Sequence, residues 1–226
     1  MNANPADIAD PMKRAQMQTA LHAAFDKLSA GDLDAGEAEA RRLLDSGSKP
    51  IRTQAHLLSA IARWRSGDVE GARILLEAVR GDADKEVLAM LAICHIKDSH
   101  IAEAVECMNE AVRLERGKHG YLTHDLLFTY LQGCRLARAW NEFQKYAEIF
   151  VDTYASLAVT DTTYLAIREV PPFEAFVDEV SAAIEAGMTP KDERRWRHLE
   201  SHVDSEGQEY LQKFMTLCGW RSADSK

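Results

Sequence analysis

The feature that most constrains this chain is a turn-and-helix unit that recurs at nearly constant spacing. The segment SAGDLDAGEAEARRLLDSG, from Ser29, and the segment RSGDVEGARILLEAVRGD, from Arg65, share a Gly-Asp turn, then Leu33 or Val69, then a run rich in Ala and Leu. A third copy, KDSHIAEAVECMNEAVRLE from Lys97, has Ser99 where glycine stood, and a weaker fourth begins at Gly133 as GCRLARAWNEFQKYAEIF. Gly31, Gly67, Ser99 and Gly133 are 36, 32 and 34 residues apart. Two helices of about twelve residues plus two turns need roughly 34 residues, and one such hairpin cannot bury its apolar face alone. Neighbouring hairpins must therefore stack. Apolar periodicity fills the run before each turn, with Leu57, Leu58, Ile61, Ala62 and Trp64 in one unit and Leu88, Leu91, Ala92 and Ile96 in the next. Helices that cross closely need small residues, and Ala60, Ala92, Ala72, Ala104 and Ala111 stand where those crossings are expected.

On these residues the chain resembles the tetratricopeptide-repeat family, best over 51–116, then over 17–50, and least over 121–156. It departs from the family pattern at Arg63 and His95, where a large or aromatic residue is usual, and keeps a unit-closing proline only at Pro50. The resemblance implies an all-α fold: a right-handed stack of helical hairpins over 15–156 (units 17–50, 51–83, 84–118 and 121–156), preceded by a flexible N-terminus at 1–14. It also implies that the first helix of each hairpin lines a concave groove for a protein or peptide. The groove-facing residues would be Gln54, Leu57, Ile61, Trp64 and Arg65, then Glu86, Ala89, Ile93 and Lys97. Leu57 and Ala89 stand where the family's binders of terminal carboxylates carry lysines, so that partner class is not expected. Arg65 and Lys97 favour a peptide with apolar anchors and an acidic residue.

Residues 157–226 read as a non-repeating helical cap. The stretch Thr162–Val170 fits a short helix or an extended linker. Pro171–Pro172 stops what precedes and starts a helix over Phe173–Ala186, ended by Gly187. Thr189 then reads as an N-cap, with Pro190 at the first position of one long helix. Its apolar positions Trp196, Leu199, Val203, Tyr210, Phe214 and Leu217 form a narrow seam, with Gly207 on the same stripe. The seam must be covered by the open end of the repeat stack or, as the alternative, by the same helix of a second copy. Capping within the chain is the preferred expectation over a homodimer.

Charge narrows the partners. The chain carries 27 Lys and Arg against 36 Asp and Glu, a net of −9, so a nucleic acid is not an expected partner. Residues 141–187 hold nine carboxylates against Lys145 and Arg168, and Lys191, Arg194, Arg195 and Arg197 then reverse the sign. A solvated helical surface accounts for both runs, with an acidic binding surface or an ion-pair contact between them as alternatives. The N-terminal residues do not form a secretory signal, and no apolar run is long enough to insert in a membrane. Cys94, Cys107, Cys134 and Cys218 form no CxxC pair and fit buried thiols, so a cytoplasmic location is expected.

Motifs for chemistry are sparse. His198 and His202 are four apart and share a helix face with Glu206, but no third ligand lies near in sequence. The pairs His95/His100 and His119/His124 are five apart and point to different helix faces. Cys94 and His95 are adjacent and so do not face each other on a helix. Glu37/Glu39 and Glu103/Glu106 fall on charged outer faces. Neither GxGxxG, GxxxxGK[ST] nor GxSxG occurs. The expectation is a binding protein with no enzymatic activity, cofactor or metal: an adaptor, assembly factor or chaperone. In size and acidity it is similar to the small helical-repeat chaperones of bacterial secretion systems. The competing class is an enzyme or metal-dependent protein whose site is assembled from residues distant in sequence.

Overall fold

The computed structural model describes residues 11–115 and 124–220. All regular structure among them is helical, and the chain divides between residues 122 and 123 into two compact units.

Unit 1 is built from three consecutive hairpins. Helices α1 (Pro11–Ser29) and α2 (Leu33–Arg41) form the first, α3 (Lys49–Ser66) and α4 (Val69–Glu77) the second, α5 (Lys85–Lys97) and α6 (Ile101–Glu115) the third. Each helix packs on the next in sequence, and the first helices also touch in series, α1 with α3 and α3 with α5. The turns explain why the repeats were visible. Gly31, Gly67 and Ser99 are left-handed, with φ of +86°, +93° and +62°. In each turn the following amide donates back five residues, Asp32 to Lys27, Asp68 to Arg63 and His100 to His95, all at 2.9 Å. This closes the ends of α1, α3 and α5 with the same left-handed cap. Asp32 and Asp68 then cap the next helices, accepting from the amides of Ala35 and Gly71.

The small residues sit where closeness is needed. Ala60, Ala72, Ala92, Ala104 and Ala111 are all fully buried. Gly36 has no Cβ because one placed there would lie 2.6 Å from the Leu28 side chain, so α1 and α2 cross at closer range than any other residue permits. Leu28, Ala24, Ala40, Leu58 and Ala62 form the core between the first two hairpins, with Leu21 and Leu33 against it.

Unit 2 begins with α7 (His124–Leu136) and α8 (Trp140–Leu157), followed by α9 (Thr162–Ile167), α10 (Phe173–Glu185), α11 (Glu193–Glu200) and α12 (Ser205–Leu217). The α7–α8 turn repeats the geometry of unit 1, but at Arg138 (φ +54°), where the Ala139 amide donates to the Cys134 carbonyl at 2.8 Å. Gly133, read as the turn from sequence, lies inside α7. The α7–α8 hairpin falls in the same compact unit as the C-terminal helices. An aromatic file holds unit 2 together. Tyr154 meets Phe173 at 5.0 Å, Phe150 meets Phe176 at 5.5 Å, and Trp196 lies between Phe176 at 5.9 Å and Phe214 at 4.3 Å.

The C-terminal region corrects the expectation of one long helix. Asp192, not Thr189, caps α11, and the chain turns at 201–204 before Asp204 caps α12. The break sits where Asp204 accepts from the amide and hydroxyl of Thr160 and from the Gly207 amide. A Cβ on Gly207 would lie 2.6 Å from Thr160, so this glycine serves the approach of the segment before α9. Trp196, Leu199, Val203 and Phe214 are buried against this same unit, while Leu217 is exposed. The stretch after Asp161 resolves as helix α9, and α10 ends at Gly187 (φ +105°) as read from sequence. Of the N-terminal segment 1–14, residues 1–10 fall outside the described residues, and the last four open α1. Residues 116–123, which hold the ends of two expected units and His119, also fall outside them, as do residues 221–226 of the cap.

Candidate functional site

The expected groove is closed at its apolar positions Leu57, Ala89 and Ile93. Leu57 and Ile93 are 6% and 2% exposed, and every residue of α5 from Val87 to Ile96 is buried, Ala89 included. These three side chains belong to the core and offer a partner no surface. The reason is that α5 is packed by α3, α4 and α6 at once, so it has no apolar face left over. Ile61 and Trp64 are half-buried, and the Trp64 indole N–H is enclosed with no acceptor among the described residues. Gln54 donates to Asp84 at 2.9 Å, the same carboxylate that caps α5. Arg65 donates to the Leu28 carbonyl at 2.9 Å and ties α3 to the end of α1. Glu86 is half-buried, which pushes its carboxyl above the usual range, and Lys97 is exposed.

The open space in unit 1 lies at the other end of the hairpins, and its origin is a mismatch in helix length. Helix α1 has 19 residues and its partner α2 has 9. At about 1.5 Å per residue, α1 projects past α2 by roughly 15 Å. The core stripe of α1, Leu28, Ala24 and Leu21, continues one turn further to Met17, beyond the last turn of α2. There it faces a cleft of about 840 Å³, within the size range of ligand pockets. One wall is the overhanging part of α1, with Met17 and Ala20. The other is the α2–α3 connection and the first turn of α3, with Leu43, Pro50 and Ile51. The Ser46 hydroxyl reaches across to the Met17 sulfur at 3.6 Å.

The rim is charged. Lys13, Arg14, Arg42 and Lys49 line it against Glu39 and Asp45. Glu39 is already engaged by Lys27 at 3.0 Å and Arg42 at 2.8 Å, and the Lys27 hydrogen bond chiefly holds its carboxyl below the usual range. Lys49 and Arg52 both reach Asp82, at 2.8 and 2.7 Å. Helix α3 opens at Ser48 with no side-chain cap bond and no acidic residue in its first turn. Its N-terminal partial positive charge therefore adds to that of the rim cations.

Sequence reasoning missed this cleft, although a signal existed. The helical run before Gly31 starts at Pro11, whereas the run after it breaks within a dozen residues at Asp45–Gly47. Glu37 and Glu39 were read as outer-face carboxylates, yet both are half-buried and bridge helices, Glu37 to Arg63 at 2.9 Å and Glu39 to Lys27. Tertiary packing also brings the oppositely charged runs of unit 2 together, with Arg195 at 2.7 Å from Glu148 and 3.9 Å from Asp152.

The other candidates for chemistry are placed as follows. The rings of His198 and His202 lie 4.0 Å apart, and the His202 Nδ1 is 2.8 Å from the His198 carbonyl. His95 is buried at the end of α5, 3.6 Å from Glu77, and burial holds its pKa below the usual value against the pull of that carboxylate. His100 lies past the Ser99 turn, and its ring comes to 6.1 Å from His95, so the helix-face separation expected from their spacing does not apply. No group of three or more His, Cys, Asp or Glu side chains able to hold a metal occurs among the described residues. Cys94 and Cys134 are buried, which pushes both thiols up to about 12. No described helix is long and apolar enough to cross a membrane. No known protein family, curated protein or solved structure matches the chain.

Proposed function

We propose that this chain is a protein-interaction module, an adaptor or assembly factor, whose unit 1 is a stack of tetratricopeptide-like hairpins and whose partner seats in the cleft under the overhang of α1. The stacked reading is supported by the shared left-handed turns at Gly31, Gly67 and Ser99 and by the series contacts of α1, α3 and α5. A right-handed path over α1–α6 belongs to the same proposal. The observation that carries the functional reading is the cleft itself. It is a core stripe that runs on past its partner helix and ends in a mixed wall of apolar side chains and cations. Concave sites with an apolar floor and a few convergent polar groups are the usual places for ligands.

The relocation from the expected groove to the cleft follows from burial. A partner cannot read Leu57 or Ile93 without unpacking α5, whereas Met17, Ala20 and Leu43 are reached directly. The test is site-specific cross-linking in cells of the source organism, with a photoreactive side chain in place of Ala20. The control position is Ile167, which is 75% exposed and belongs to unit 2. A discrete adduct at position 20 and none at 167 is the expected result. Equal labelling at both positions, or no adduct at position 20, would overturn the assignment.

A further inference from the structure

We infer that the cleft under the α1 overhang receives a short amphipathic helix of a partner protein, apolar along one stripe and acidic on its flanks, lying between the overhang of α1 and the α2–α3 connection. This rests on the cleft being the interaction site and adds the chemistry of what binds there.

The form of the occupant follows from the wall. Met17 lies four residues before Leu21, and Leu21 lies three before Ala24 and seven before Leu28, so Met17 is on the stripe that already packs a helix. A helical wall presents side chains and no unpaired backbone groups. Along α1 an extended peptide would leave its own amides and carbonyls without partners, and only the α2–α3 connection and the first turn of α3 on the opposite wall could pair with them. A helix has already satisfied its backbone and can interdigitate side chains with the ridges of α1, as α2 does one turn further along. An overhang of roughly 15 Å accommodates about ten helical residues, or nearly three turns.

The charge of the occupant follows from the rim. Lys13, Arg14, Arg42 and Lys49 line the rim against Glu39 and Asp45, with Arg42 paired to Glu39 and Lys49 to Asp82, so the cleft carries a small cationic excess in a chain whose net charge is −9. One of those carboxylates, Glu39, is held by Lys27 and Arg42. Lys13 and Arg14 are exposed on the overhang, and α3 opens nearby with no acid in its first turn. Acidic residues flanking the apolar stripe of the occupant complement all of these at once.

The probes are three synthetic helices of about fourteen residues, long enough to span the cleft, with Leu at helical stripe positions and Glu, Gln or Lys on the flanks. Binding to the full chain is read by fluorescence anisotropy and by methyl NMR of Met17. The Glu peptide is expected to shift the Met17 methyl and to bind about tenfold more tightly than the Lys peptide, an advantage that shrinks as salt is raised. Lys13→Glu with Arg14→Glu should reverse the order, and Ala20→Trp should abolish binding of all three. Circular dichroism checks that both variants keep their helices. If the Gln or Lys peptide binds as well as the Glu peptide and still shifts Met17, the acidic chemistry is overturned while the cleft stands. If no peptide moves Met17, the acidic helix and the cleft reading fall together. If the protein alone is a dimer that Lys13→Glu with Arg14→Glu dissociates, the occupant is a second copy and the inference is overturned.

Discussion

Replacing Trp196 by alanine tests how unit 2 closes over its own C-terminal helices. Trp196 is 6% exposed, stacked on Phe176 at 5.9 Å on one side and meeting Phe214 at 4.3 Å on the other. It therefore joins α11 to α10 and α12 at one point. Removing a buried tryptophan from such a site costs about 3–5 kcal/mol through lost burial and the cavity left behind. The two ring contacts place the expected loss toward the upper part of that range. For a unit of this size each kcal/mol moves the midpoint by about 4–8 °C, so the transition of unit 2 should fall by roughly 16 °C or more. The assay is thermal and urea unfolding followed by far-ultraviolet circular dichroism, at two protein concentrations about fiftyfold apart. Within-chain cover predicts a large loss and a midpoint that does not move with concentration. A loss below about 1 kcal/mol would show that Trp196 does not tie these helices together, and a wild-type midpoint that rises with concentration would point to cover by another copy; either result refutes the reasoning.

Two further outcomes follow from the turns. Asp204→Ala should destabilise unit 2 by about 1–2 kcal/mol near neutral pH, because it removes the cap of α12 together with the acceptor of Thr160. Burial raises the Asp204 pKa, but the bonds from Thr160 and Gly207 outweigh it and leave the folded value below the ordinary one. Its contribution is thus fully present above the unfolded pKa and is lost as pH falls through the folded one, so the gap between wild type and variant should close in acid, below about pH 4. A gap unchanged in acid denaturation would refute this. Ser99→Gly and Arg138→Gly should each raise stability by about 0.5–1 kcal/mol, since both residues hold a left-handed backbone that glycine adopts without strain. A fall in the urea midpoint for both would refute the turn geometry.

The helical class, the hairpin period and most turns were legible in the sequence because each rests on local chemistry. A left-handed cap requires glycine or a residue that tolerates positive φ, and it recurs wherever the first helix of a pair ends. That is why Gly31, Gly67 and Ser99 could be read directly, and why Gly133 misled: Arg138 holds the fourth turn with no glycine to mark it. Alanines at closest crossings were legible for the same reason, since the period of the helix places them. The long C-terminal helix was misread because periodicity continues across its break. Only the packing of Thr160 against Gly207 and the bonds of Asp204 stop it there.

Which apolar stripes stay open was decided at the tertiary level. A stripe of apolar residues has the same appearance in sequence whether a neighbour covers it or leaves it open. Leu57 and Ile93 carry the pattern of a groove lining, yet α5 is enclosed on every side. Met17 carries the pattern of a core residue, yet α2 ends before reaching it. Local sequence sets where each helix begins, ends and turns apolar. Which apolar stripes remain uncovered depends on the relative lengths and packing of helices that are distant in the chain, and those are properties of the assembled fold.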